Sequence, residues 1–316
     1  MNKLFLHVIR PGINTTIQDL GRNNFYHIGI PFSGAMDKRN FLIANKLVGN
    51  NLIEACIEFA YQGPLFEIFG GTIVCAITGN VSFKIFRKNS LEEEGRCYES
   101  FILKEGDKID ILSTNKSVYG YLSIKGGLNE KKDFDSYSIN TKAKIGANNG
   151  QKLGLNQKIN INQNIDNHVK KHLNYLNSKI EFIRVIKGTN FDYFSESSKK
   201  NFVLDEYKVS KLTDRMGMRL EGNKIENNVD TNIKSEGLVK GVIQVPADGN
   251  PIIMLSDHGT IGGYPKIAVV ISADYDRLTQ LTPGSKIKFK YISLKEAENL
   301  FRLYNIETEN ILNQIK

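Results

Sequence analysis

The chain has 316 residues, with 42 Lys and Arg against 34 Asp and Glu, for a formal net charge of +8. At 41% hydrophobic and 24% charged it falls in the ordinary globular range, which excludes a disordered or fibrous chain, and its length suggests two lobes. Three cysteines (Cys56, Cys75 and Cys97) cannot pair off and lack C-x-x-C spacing, so a reducing cytoplasm is expected and a structural metal site is not.

In chain order, residues 4–9 form an apolar run ended by Arg10 and Pro11, too short for a signal-peptide core and best read as a first strand. Residues 66–69, 72–78, 82–86, 108–112 and 119–124 are β-branched and aromatic runs bounded by Gly, Asn or Asp, and are predicted strands. One helix interrupts them: Asp37 is a good N-cap, Phe41, Ala44 and Val48 share a face, and Gly49 ends it. Asn-rich sequence over 148–177 reads as the connector between lobes, with a short helix expected near 168–176. Further strands are predicted at 180–186, 242–245, 252–255, 267–271 and 286–291. From Ser293, Ser-Leu-Lys-Glu is a capping-box pattern, and Leu294, Ala297, Leu300, Phe301 and Tyr304 recur at helical spacing, as in a helix packed on the body.

A weak internal echo is present. Glu105-Gly106-Asp107-Lys108-Ile109-Asp110-Ile111 resembles Pro283-Gly284-Ser285-Lys286-Ile287-Lys288-Phe289, and Leu155-Asn156-Gln157-Lys158-Ile159-Asn160-Ile161 repeats the pattern without the glycine. Each places a polar turn before an alternating strand, as where a barrel strand closes a sheet. With βαβ alternation missing, the pattern predicts a mainly β, two-lobed protein. The lobes are expected at 1–175 and 176–292, followed by a helical tail at 293–316. The positive charge is scattered lysine with at most two adjacent, so no nucleic-acid partner is expected, and no run approaches the ~18 apolar residues that span a bilayer.

Polar residues concentrate in three glycine-bearing segments. Residues 12–22 and 30–37 carry Asp19, Arg22, Ser33 and Asp37. Arg22 suits a carboxylate and either Asp suits acid–base work, against the equal alternative of an Asp19–Arg22 ion pair and a helix-capping Asp37. Residues 212–222 carry Arg215 and Arg219, which share a face if the segment is extended, with Gly217 leaving room between them for a ligand, against the favoured alternative of a solvated, ion-paired edge. Residues 241–265 carry Gln244, Asp257, His258, Gly262, Gly263 and Tyr264. Consecutive amides at Gly262-Gly263 suit an oxyanion or form a plain turn. There is no phosphate-binding Gly-x-x-x-x-Gly-Lys, no dinucleotide fingerprint, no His-Glu-x-x-His and no biotin-carrying Met-Lys-Met hairpin.

Thr15-Thr16-Ile17-Gln18-Asp19-Leu20-Gly21-Arg22 followed by Pro31-Phe32-Ser33-Gly34-Ala35-Met36-Asp37 resembles the opening signature of the biotin-dependent carboxyltransferase / allophanate hydrolase subunit 2 family, and most of all its 5-oxoprolinase branch. Asn45-Lys46-Leu47-Val48-Gly49-Asn50, Ile57-Glu58, Asp214-Arg215-Met216-Gly217, Gln244-Val245-Pro246 and Gly262-Gly263-Tyr264-Pro265 continue the likeness in order. The resemblance implies tandem cyclophilin-like β-barrel lobes. It implies one subunit of a complex that opens 5-oxoproline to L-glutamate with ATP, beside a smaller subunit of the same superfamily and a lactam-utilisation-type subunit. Under it Asp19, Asp37 and Asp257 would position water or a proton. Arg22, Ser33, Arg215, Arg219, Gln244 and Tyr264 would hold a small carboxylate or lactam, and the Gly262-Gly263 amides an oxyanion. The alternatives are a carboxyltransferase component served by biotin on another chain, and a non-catalytic regulatory protein. Three departures stand out: Asp135-Ser136-Tyr137-Ser138-Ile139 where the family reads Gly-Ser-Arg-Ser-Thr, Asp257-His258-Gly259-Thr260-Ile261 where it reads Asp-x-Gln-Thr-Thr, and Thr78-Gly79-Asn80 for Thr-Gly-Ala.

Overall fold

A computed structural model describes residues 3–89, 91–162, 169–175 and 181–315. The chain is mainly β and clusters into two compact units, Met1–Arg22 with Ser33–Leu176 and Glu309–Lys316, and Asn23–Phe32 with Asn177–Thr308. Among the described residues no helix is long and apolar enough to cross a membrane.

The first unit contains β1 (Phe5–Arg10), β2 (Asn14–Gln18), α1 (Lys38–Val48), β3 (Cys56–Ala60), β4 (Leu65–Phe69), β5 (Ile73–Thr78), β6 (Val81–Phe86), β7 (Glu92–Glu94), β8 (Ser100–Leu103), β9 (Lys108–Thr114), β10 (Tyr119–Ile124) and β11 (Lys158–Asn160). Two sheets form, in the orders β11-β1-β4-β9-β6-β7 and β2-β3-β10-β5-β8. Strands β4 and β6 alternate buried with half-buried residues, because one face meets the core and the other approaches solvent. Strands β3, β5 and β10 are buried throughout, since α1 covers the face turned away from the core. Phe59, Phe66, Phe83, Ile109 and Leu122 fill that core. Helix α1 begins where Asp37 accepts the Asn40 amide at 3.0 Å and ends at left-handed Gly49, as its sequence predicts.

The second unit contains β12 (Ile183–Lys187), α2 (Glu196–Leu204), β13 (Tyr207–Val209), β14 (Gly217–Glu221), β15 (Glu236–Gly237), β16 (Val242–Gln244), β17 (Ile252–Met254), β18 (Ile261–Gly262), β19 (Lys266–Val270), α3 (Tyr275–Thr279), β20 (Lys286–Ile287) and β21 (Phe289–Tyr291). Helix α4 (Leu294–Asn313) follows, opened by a reciprocal Ser293–Glu296 capping box. Eight strands run in the order β20-β13-β14-β17-β16-β19-β12-β21. The outermost two, β20 and β21, are separated in sequence only by Lys288, so one stretch of chain supplies both edges and the sheet curls into a nearly closed barrel. The single strand expected at 286–291 is therefore two, one antiparallel to β13 and one parallel to β12.

The turn–strand echo is a recurrent piece of geometry within the chain. At Gly106, Asn156 and Gly284 the backbone φ is positive (85°, 60° and 89°), and each amide donates to a strand carbonyl at 2.8 Å, those of Ile68, Val8 and Val209. Asn156 takes the left-handed turn that glycine takes in the other two, which Asn tolerates better than most residues. The helix expected near 168–176 is not found in 169–175. There His172 makes an isolated antiparallel bridge to Glu99, so strand-edge pairing outcompetes an Asn-rich helix; His168 and Leu176 lie outside the described residues, as does Ile180.

Candidate functional site

In the first unit the segment after β2 is wound into residues 133–147. Asp19 Oδ1 accepts from Ser136 Oγ and Ser138 Oγ, both at 2.6 Å, and from the Gly21 amide at 2.9 Å, while Oδ2 accepts from the Tyr137 amide at 2.8 Å. Four donors hold its charge in place, which makes this carboxylate a clasp across more than a hundred residues of sequence. Arg22, also buried, donates from Nη2 to the Ser138 carbonyl and from Nε to the Asp133 carbonyl at 3.3 Å. Asp19 and Arg22 are thus joined through Ser138, which serves one with its hydroxyl and the other with its carbonyl. Ser33, buried and at φ 58°, accepts from Asn140 Nδ2 at 3.2 Å.

Asp37 belongs to a neighbouring network. Its carboxylate is taken up by Asn40, with Nδ2 to Oδ2 at 2.7 Å, and its amide donates to the Tyr121 hydroxyl at 2.8 Å. That hydroxyl donates to Glu58 Oε2 at 2.7 Å, which also accepts the Met36 amide at 2.9 Å. Burial, followed by the Glu58 and Asp37 charges, pushes the Tyr121 phenol well above its ordinary 10. Glu58 is 2% exposed and fixes the Met36-Asp37 turn.

In the second unit Arg215 precedes β14 and is buried, whereas Arg219 stands on the solvent side of that strand. The expected shared face does not form, because Asp257 draws Arg215 inward. Nε meets Oδ2 at 2.8 Å and Nη2 meets Oδ1 at 3.1 Å. Gln244, Gly262 and Tyr264 do come together: Gln244 Nε2 donates to the Tyr264 carbonyl at 3.2 Å, and a Cβ on Gly262 would lie 2.7 Å from that nitrogen. Gly262 is part of a short ladder with Glu236, and the Gly263 carbonyl accepts the Ile233 amide at 2.9 Å, so the pair is strand edge rather than an isolated turn.

Residues that sequence reasoning passed over complete this face. Lys266, paired in register with Gln244, is 3% exposed, and its Nζ lies 2.8 Å from Glu236 Oε2 and 3.4 Å from Asn190 Oδ1. The Lys266 partner holds the Glu236 carboxyl below its ordinary range. A lysine opening the otherwise apolar run Lys-Ile-Ala-Val-Val was the available signal. His258, named in the sequence but given no role there, is 2% exposed and lies apart from that face: Nδ1 is 2.6 Å from the Gly259 carbonyl and 3.4 Å from the Tyr26 hydroxyl, which itself donates to the Leu238 carbonyl. Among the described residues no group of three or more His, Cys, Asp or Glu side chains could hold a metal.

The family profile of the carboxyltransferase domain, subdomain A and B, matches residues 28–291. The chain is 32% identical over 296 residues to a 5-oxoprolinase subunit of Escherichia coli (strain K12), covering 92% of this chain and 93% of that one. It is 31% identical over 308 residues to the 5-oxoprolinase subunit of the same name in Haemophilus influenzae, covering 94% of each. Urea amidolyase of Saccharomyces cerevisiae is 28% identical over 93% of this chain, which spans only 17% of that protein. Among solved structures, Kluyveromyces lactis urea carboxylase superposes with a TM-score of 0.87 at 27% identity, over 98% of this chain and 29% of that one. The urea amidolyase of the same organism gives 0.87 over 20% of its length.

Proposed function

The chain belongs to the carboxyltransferase domain family, and from that membership we propose that it is a subunit of an ATP-dependent 5-oxoprolinase complex, which opens 5-oxo-L-proline to L-glutamate in the cytoplasm. The observation that carries this reading is the end-to-end match to two proteins named as 5-oxoprolinase subunits, where the urea amidolyases are matched over a small part of their length.

The three carboxylates first suited to acid–base work are each engaged: Asp19 by four donors, Asp37 by its helix and Asp257 by Arg215. Asp257 and Arg215 then shape the site without meeting substrate. The substrate carboxylate is assigned to the Lys266 ammonium, where it displaces the exposed Glu236 carboxylate rather than a buried partner, and the lactam carbonyl to the Gln244 amide, with Tyr264 at the border; Arg22 and Ser33 hold the loop that leads into α1. The residues do not fit a nucleotide. Gly262 is committed to a ladder and Arg215 is neutralised by Asp257, so neither offers a phosphate cradle. ATP is therefore assigned to another subunit. This explains a chain expected to be inactive alone and to need both a smaller subunit of its superfamily and a lactam-utilisation-type subunit.

Reconstitution with those two subunits tests the reading. Glutamate should form from 5-oxoproline only with ATP and all three chains, and Lys266→Met should lower the rate about tenfold or more in a complex that still assembles. A stably assembled complex that makes no glutamate overturns it. The carboxyltransfer alternative, favoured by the urea carboxylase superposition, predicts instead that a biotinylated carrier protein binds.

A further inference from the structure

A cavity of about 610 Å³ opens in the second unit, within the roughly 300–1,000 Å³ typical of small-molecule sites. Its wall is apolar, with Phe32, Ile186, Val239, Val269, Leu294 and Phe301 contributing. Five polar side chains interrupt that wall: Ser272, Glu298 and a group of three, Tyr26, His258 and Lys240. These three sit close together, since Tyr26 touches both His258 and the Leu238 carbonyl, and Lys240 is near enough to His258 to bear on its ionisation. The Lys240 ammonium is held 4.3 Å from the centre of the Tyr275 ring.

His258 has a defined orientation. A carbonyl only accepts, so the 2.6 Å contact to Gly259 places the ring proton on Nδ1. Burial above all, with Lys240 beside it, keeps the ring below its ordinary 6.5 despite the opposing Gly259 bond, and hence neutral. Nε2 then carries a lone pair with no partner among the described residues, on a side chain 2% exposed. The atom itself is not sealed off, so a donor on a ligand in the cavity can reach and satisfy it. Asp257, next in sequence and paired with Arg215, opposes the lowering of the ring's pKa more weakly than Lys240 promotes it. Glu298 lies exposed on α4 at the rim.

We propose that this cavity binds an N-acyl α-amino acid with an apolar side chain. Its carboxylate meets Lys240, its amide N–H donates to His258 Nε2, and its side chain lies on the Phe32–Leu294–Phe301 wall. Neither Lys240 nor His258 is a residue assigned to lactam opening, so the site stands independently of that role. 5-Oxoproline offers the acid and the N–H but no apolar body, and should bind here more weakly.

Calorimetry on the full chain with N-acetyl-L-phenylalanine tests this, with 3-phenylpropanoate, which keeps the acid and ring but loses the N–H, and 5-oxoproline as comparisons. N-acetyl-L-phenylalanine should bind most tightly. Lys240→Met should weaken it about tenfold, and His258→Phe should reduce it to the level of 3-phenylpropanoate while leaving 3-phenylpropanoate unchanged. Ala297→Trp should fill the cavity and abolish binding, with circular dichroism confirming the fold. No heat at roughly millimolar N-acetyl-L-phenylalanine, equal binding of the two phenyl ligands, or insensitivity to Lys240→Met overturns the proposal. A chain that failed these tests and still supported glutamate formation in the complex would leave the lactam reading standing.

Discussion

Asp257 grips Arg215 at two points, at 2.8 and 3.1 Å, and both side chains are more than nine-tenths buried. Removing either partner strands a buried charge, at a cost of roughly 3–5 kcal/mol. Asp257→Leu and Arg215→Met should each lose about that much in urea unfolding. The double variant Arg215→Met/Asp257→Leu should be milder than either single change, because no unpaired charge is left. Simple additivity would show that the two side chains do not act as a pair.

The four donors on Asp19 make a different prediction. Asp19→Asn should destabilise the first unit by about 2 kcal/mol, since charged acceptors form the stronger hydrogen bonds. Ser138→Ala should cost less in the Asp19→Asn background than in the native chain, with a coupling of about 1 kcal/mol in a double-mutant cycle. Zero coupling would separate the serine from the clasp.

Two glycines should respond oppositely to substitution. Gly34 sits at φ 90°, and a Cβ there would lie 2.9 Å from both the Gly21 nitrogen and the Leu20 carbonyl, so Gly34→Ala should destabilise by more than about 1 kcal/mol. At Gly259 a Cβ would meet only the Ile261 carbonyl, at 3.5 Å. Gly259→Gln, which restores the residue read in the resembled family, should stay within about 0.5 kcal/mol of the native chain. A thermal melt distinguishes the two, and a large loss at Gly259 would mean that its glycine is structurally required.

His258 sets a pH dependence. Its folded-state pKa lies below the ordinary 6.5, so the unfolded chain binds the extra proton. Its contribution is complete above about pH 6.5 and is lost as the pH falls below that, with a limiting slope of about 1.4 kcal/mol per unit. Carboxylates lowered by their partners, such as Glu236 beside Lys266, release their contribution only below about pH 4.5. Urea midpoints for the native chain should therefore drop between pH 6.5 and 5, and His258→Gln should flatten that limb. Parallel curves would exclude His258 as the source.

Local features were legible in the sequence because local forces make them. Asp37 and Gly49 bound α1, Ser293 and Glu296 cap α4, and the triplicated turn before β9, β11 and β20 follows from Gly106, Asn156 and Gly284. Partners distant in the chain were not legible. Asp19 finds its donors 117 and 119 residues away, and Lys266 finds Glu236 30 residues away, with no periodicity to announce either. Arg215 looked like a ligand arginine because a charged side chain in a polar loop carries no local mark of burial. The helix expected near 168–176 failed for the same reason, since Glu99 supplies His172 with a strand partner.

The assignment of residues 23–32 to the second unit, and of 309–316 to the first, has a consequence for synthesis. A chain emerging from the ribosome cannot complete its first unit and then begin its second. The early ten-residue segment must wait for a barrel not yet translated, and the first unit acquires residues 309–316 only after the second has been made. Neither half is a severable module, and an expressed fragment 1–176 should populate a partly folded, protease-sensitive state.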